Sequence, residues 1–137
     1  MPAPVLLDCT EEIAPGVPDL RGLWRAVAVT DDAGVALPDD HPIRRHVERI
    51  EQAGNRVVVT SAGIIHDMYA DGTYENGVND VMASDFTTPI SVAATFEDGV
   101  LVLRPKDMPG VEIRRWLDGD RLRWRYHTLF TAILERV

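Results

Sequence analysis

The sequence predicts an all-β fold: a single antiparallel meander of eight to ten strands that closes into a barrel, with at most a short helix. Three observations lead there. Tight-turn signals recur at Ala53-Gly54-Asn55, Ala70-Asp71-Gly72, Glu97-Asp98-Gly99 and Leu117-Asp118-Gly119-Asp120. These residues tolerate the positive φ that a tight hairpin requires. The segments between them are rich in β-branched and aromatic residues and alternate in polarity, the period of a strand. The chain of 137 residues is long enough for one domain with a core, and it shows no internal repeat, low-complexity tract or linker. A meander of this length closes into a barrel or folds into a sandwich.

Taken in order, residues 1–19 hold Pro2, Pro4, Pro15 and Pro18 among acidic residues. Prolines so placed disfavour a long helix, so the segment reads as an extended lead-in with a helical turn near Pro18-Asp19-Leu20. Residues 20–137 form the barrel domain. The first strand runs from Arg21 to Thr30, with Gly22, Trp24, Ala26 and Ala28 on one face. A polar loop spans Asp31 to Pro42. The segment His41–Gln52 fits either period; a short helical turn over His41–Arg45 and a strand over His46–Gln52 are expected. Arg56–Ser61, Ile64–Tyr69 and Thr73–Val78 read as successive strands, with Gly63 as a bend. Asn79 to Pro89 reads as a loop across one barrel end. Ile90–Phe96, Val100–Arg104, Val111–Leu117, Arg121–Thr128 and Phe130–Arg136 complete the set.

The bulk properties exclude several functions. A net charge of −8 disfavours a nucleic-acid partner and an anionic membrane surface alike. No apolar run approaches a membrane span, and the N-terminus lacks the basic start of a signal peptide. The single cysteine, Cys9, has no internal disulfide partner, so a cytoplasmic location is expected. Thirteen arginines against one lysine, Lys106, are the bias of GC-rich bacterial coding.

The candidate site residues follow from strand parity. Arg121, Arg123 and Arg125 alternate with Leu122, Trp124 and Tyr126, giving a guanidinium stripe and an apolar, mostly aromatic stripe. Two readings are open: the arginines face water while the apolar stripe fills the barrel, or one of them, or Arg114 on the neighbouring strand, points inward to hold a ligand carboxylate. His66 lies between Ile64 and Met68 on one face, as a pocket donor, a general base, a haem ligand or a satisfied core residue. Tyr74 and Asn76 are polar groups across the hairpin. His66, Tyr74, Trp124, Tyr126 and Arg125 are therefore the expected ligand-binding residues. Four scattered histidines give no metal motif, and no phosphate loop or nucleophile turn is present. No metal and no cofactor is expected.

Gly22-Leu23-Trp24 at the start of the first strand and Arg136 at the end of the last resemble the calycin superfamily of lipocalins and intracellular fatty-acid-binding proteins. The resemblance implies that Trp24 plugs the barrel floor beneath Arg136, a cation–π closure, with Gly22 allowing close approach. It also implies that a small hydrophobic molecule is bound inside a lipocalin-like barrel, in a monomer or homodimer. The arginine and tyrosine that hold the ligand in fatty-acid-binding proteins compare with Arg125-Tyr126, adjacent here rather than spaced by one. Unlike secreted lipocalins, the chain has no disulfide; unlike fatty-acid-binding proteins, it offers at most part of a helix pair in His41–Gln52. Other readings stand beside this one: a cofactor-free isomerase, cyclase or hydratase using His66; a solid-core barrel serving as an interaction module; and, as a minority reading, a haem-binding barrel of the nitrobindin type.

Overall fold

Each sequence-marked turn reverses the chain through backbone that only certain residues adopt. In a computed structural model describing residues 2–61, 64–81 and 89–137, Asp98 and Gly99 have φ of 50° and 81°. Two consecutive left-handed residues make the hairpin turn whose twist matches its strands. Ten strands result among the described residues: β1 (Gly22–Thr30), β2 (Val47–Ala53), β3 (Arg56–Ser61), β4 (Ile64–Tyr69), β5 (Val78–Val81), β6 (Pro89–Glu97), β7 (Val100–Pro105), β8 (Ile113–Asp118), β9 (Arg121–Tyr126) and β10 (Phe130–Arg136). A 3₁₀ turn, Pro42–Arg45, follows the β1 loop and buries Ile43.

The strands form one antiparallel sheet in the order β4-β3-β2-β1-β10-β9-β8-β7-β6-β5. The first and last strands of the chain pair at its centre, from Trp24 opposite Arg136 to Thr30 opposite Thr131. The register shifts between Ala26 and Ala28, so Val27 is the extra residue of a bulge. The two arms curl until the edge strands approach, giving an all-β, nearly closed meander barrel. At that seam Tyr69 N–H donates to Asn76 O (2.9 Å), and Gly72 N–H donates to Ala94 O (2.9 Å).

Gly77 sits at the same seam. A Cβ there would lie 1.7 Å from Val92 O, inside any van der Waals contact. Gly77→Ala must push β5 off β6 and is expected to destabilise the protein by about 1–3 kcal/mol, the usual effect of overpacking. Chemical denaturation measures it; an unchanged midpoint would contradict so close an approach.

Three expectations need correction. Residues 73–77 form a turn, not a strand, and β5 begins only at Val78. Asp71 accounts for this: its carboxylate accepts from Thr73 N–H (3.0 Å), Thr73 Oγ1–H (2.7 Å) and Asn76 Nδ2–H (2.7 Å). Such local side-chain bonds compete with a ladder. Asn79–Val81 accordingly belongs to a strand rather than a loop, while the remainder of that predicted loop up to residue 88, and the Gly63 bend, lie outside the described residues. The turn expected near Pro18-Asp19-Leu20 falls earlier, where Val17 N–H donates to Ala14 O (3.2 Å) across Pro15-Gly16. Proline followed by a glycine at φ 79° is the pairing of a type II turn.

The segment before β1 is tied to outward side chains of β2. The Glu51 carboxylate accepts from Val5 N–H (3.0 Å) and Leu6 N–H (2.9 Å), and Ile13 bridges to Gly54. On this outer face Val58 and Thr60 of β3, paired with Glu51 and Arg49, are fully buried.

Candidate functional site: a buried ion pair inside the barrel

Strand parity divides the barrel into two faces. Register places Trp24 with Glu48, Ile50 with Val59, Val57 with Met68, Ala132 with Trp124, and Trp124 with Arg115 on the inner face. These join Leu101, Leu122, Phe130 and Leu134 in one continuous core.

One end of the barrel is closed by Trp24. Its Nε1–H donates to Leu20 O (2.9 Å), and the Arg136 guanidinium carbon lies 4.3 Å from its ring centroid. Gln52 binds the chain preceding β1 from within: its Oε1 accepts from Leu20 N–H (2.6 Å) and its Nε2–H donates to Pro18 O (3.0 Å). Gly22 adopts φ 151°, and a Cβ there would stand 3.1 Å from Arg136 Nε. A side chain at 22 would therefore crowd the guanidinium over Trp24 and strain the backbone.

Two charged side chains break the apolar interior. Glu48 on β2 is wholly buried and Arg115 on β8 is 6% exposed. Arg115 grips the carboxylate with both arms of its fork, Nε–H to Oε2 at 2.9 Å and NH2 to Oε1 at 3.2 Å. β2 and β8 stand four places apart in the sheet, so the pair spans the lumen instead of lying along the wall. His46, just before β2, places Nε2 2.7 Å from Glu48 Oε1.

Aromatic rings surround this group. The Arg115 guanidinium lies 4.9 Å from the Trp124 centroid, and the His46 ring 4.5 Å from it. Phe130 meets Trp124 edge-on at 5.1 Å and stacks on Tyr126 at 5.5 Å. His41, at the N-cap of the 3₁₀ turn, approaches Phe130 at 6.3 Å. Trp124 Nε1 is buried and has no hydrogen-bond partner among the described residues.

Burial pushes the Glu48 pKa up, but the Arg115 and His46 contacts outweigh it and hold the carboxyl at about 2, below its ordinary 4.5. A carboxylate with a depressed folded-state pKa contributes stability that is present above its unfolded value and lost as pH falls through the folded one. Glu48→Gln is therefore expected to be less stable than wild type at neutral pH, with the gap closing between about pH 4.5 and pH 2 as wild-type Glu48 protonates. Melting temperature against pH for the two proteins measures this; a constant gap would contradict it.

The sequence-predicted site residues scatter. Trp124 and Tyr126 sit in the cluster. His66 is on the inner face, in register with Val59, but on edge strand β4. Tyr74 is 43% exposed in the turn before β5, with Lys106 5.9 Å from its ring. Arg125 points outward to Asp32 (2.5 Å), because alternation cannot bring it inside together with Trp124 and Tyr126. Arg121 and Arg123 likewise pair outside with Glu135 (2.8 Å) and Asp118 (2.6 Å). The inward arginine on β8 is Arg115, and Arg114 is exposed against Glu112. Sequence reasoning missed Glu48, His46 and Arg115. The available signal was parity: Arg115 falls between Ile113 and Leu117, and Glu48 two before Ile50.

Outside the barrel, an open groove of about 580 Å³ lies on β8 and β9, lined by Glu112, Arg114, Trp116, Arg125 and His127 among others. Among the described residues no group of three or more His, Cys, Asp or Glu is placed to hold a metal ion. Among them, too, no helix is long and apolar enough to cross a membrane.

No protein-family model and no curated protein matches the chain. Solved structures do. Human cRBP IV, a cellular retinol-binding protein, superposes with a TM-score of 0.63 at 14% identity, over 87% of this chain and 98% of its own. A point mutant of the fatty acid transporter REP1-NXSQ gives 0.60 at 14% identity with the same coverage. At that identity the likeness is one of architecture, and the fold of this chain is calycin-like.

Proposed function

We propose that the protein binds a small, mainly apolar molecule inside the barrel, beside the Glu48–Arg115–His46 group and the rings of Trp124, Tyr126 and Phe130. The carrying observation is the ion pair itself. Removing two charges from water is costly, and a packed apolar pair in their place is often as stable or more so. A few convergent polar groups amid aromatic surface are also the composition of small-molecule sites. The fold neighbours named for retinol and fatty acid support the same reading by analogy of fold. In it, residues 20–137 are the binding unit and the preceding segment is a strap. Native mass spectrometry of protein purified from its own host is expected to reveal a bound apolar molecule. Nile red, a neutral apolar dye, is expected to bind the purified protein, and Trp124→Ala to weaken it roughly tenfold or more, the loss typical of a central aromatic contact. Absence of dye binding to wild type would overturn the proposal.

A second reading, cofactor-free acid–base catalysis on such a molecule, is favoured by the 2.7 Å His46–Glu48 contact. A carboxylate that orients an imidazole is how a general base is held. His46→Gln that keeps affinity but loses turnover supports catalysis; equal loss of both supports binding alone.

A further inference from the structure

We infer that the interior selects a neutral guest with an oxygen acceptor, such as an alcohol, ester or ketone, and rejects a carboxylate, with Glu48 as the selecting residue. This rests on the reading that the barrel holds an apolar molecule. The argument begins from Arg115, the one buried arginine or lysine among the described residues. A buried arginine is the natural clamp for a carboxylate. Here its Nε–H and one NH2 proton are already given to Glu48 (2.9 and 3.2 Å), and the guanidinium carbon lies 4.9 Å from the Trp124 ring centroid.

The pair is therefore internally neutral. A guest carboxylate reaching Arg115 would stand next to the Glu48 carboxylate, within a few ångströms and away from water. Like charges so placed oppose one another strongly. Glu48 does not escape by taking up a proton, since Arg115 and His46 stabilise its charged form. An uncompensated neutral donor stands beside the pair: Trp124 Nε1–H, buried and without a partner among the described residues. It is uncharged, and it complements a carbonyl, ester or hydroxyl oxygen. The same aromatic cluster that offers apolar surface thus offers a neutral donor, while the charge of Arg115 is already balanced by Glu48.

The test uses the purified full chain and Nile red displacement at pH 8 by hexadecan-1-ol, methyl hexadecanoate and ionised hexadecanoate. These share one chain and differ at the polar end. The alcohol and ester are expected to displace the dye with affinity about 100-fold above the acid's, the order of a buried like-charge contact. Glu48→Gln, which keeps the shape and frees the Arg115 charge, is expected to raise the acid to at least the affinity of the alcohol. Hexadecanoate binding wild type as tightly as the alcohol would overturn this inference and leave the binding reading intact. Displacement by none of the three, with no dye bound, would overturn both. Should Glu48→Gln fail to fold, the wild-type comparison of acid with ester decides alone.

Discussion

Arg115→Met is expected to lower the unfolding free energy by about 3–5 kcal/mol, because it leaves the Glu48 charge buried without its partner. The melting temperature then falls by roughly 10 °C or more. Glu48 is wholly buried, so water cannot take over the role of the guanidinium, and His46 contacts only one carboxylate oxygen. The double replacement Glu48→Met with Arg115→Met behaves differently. It removes both charges and fills the lumen with apolar volume, so its stability is expected to match or exceed wild type. The non-additivity is the diagnostic: two residues 67 positions apart in sequence couple strongly only if they touch. Urea denaturation of the four proteins closes the cycle. Additive effects would mean that the pair does not form. A stable double variant that has lost the guest would show that the ion pair is kept for binding and not for stability.

Trp24→Ala is expected to cost about 3–5 kcal/mol, the range for a fully buried large aromatic. The loss is not only of volume. The indole N–H holds Leu20 O, and the ring face carries Arg136, so the closure of one barrel end is dismantled at once. Arg136→Ala isolates one part of this and is expected to cost about 0.5–2 kcal/mol, since the guanidinium is largely in water. Trp116, partly exposed on the outer face, is the control: its loss is expected to be well below that of Trp24. Equal effects for Trp24 and Trp116 would contradict the described floor.

The turns and most strands were legible because their determinants are local. Positive φ at Gly54, Asp98, Gly99 and Gly119 is written in residue type, and alternation over Arg121–Tyr126 assigns faces without knowledge of neighbours. Tyr74 was misplaced for an equally local reason, since Asp71 organises its own turn and outcompetes the ladder. The polar centre was harder to read. Glu48 and Arg115 gain meaning only when the sheet curls and brings β2 across from β8, and no spacing in sequence encodes that contact. Arg114 and Arg115 are neighbours of the same type, and only the register with Trp124 decides which one enters the barrel. The outer arginines attracted notice because they form a stripe, yet a stripe is what a solvated face presents. Trp24 and Arg136 lie at opposite ends of the barrel segment, but the β1–β10 pairing sets them side by side, a consequence of closing the meander.

Central to this account is a guest held inside the barrel at Trp124, not in the groove outside. The chain has three tryptophans, Trp24, Trp116 and Trp124, whose indole N–H signals are separately visible by nuclear magnetic resonance. On titration with hexadecan-1-ol, the Trp124 N–H is expected to shift and to show contacts to guest protons, while Trp116 in the outer groove stays unchanged. A shift at Trp116 with Trp124 unmoved would place any guest on the outer face and contradict the account.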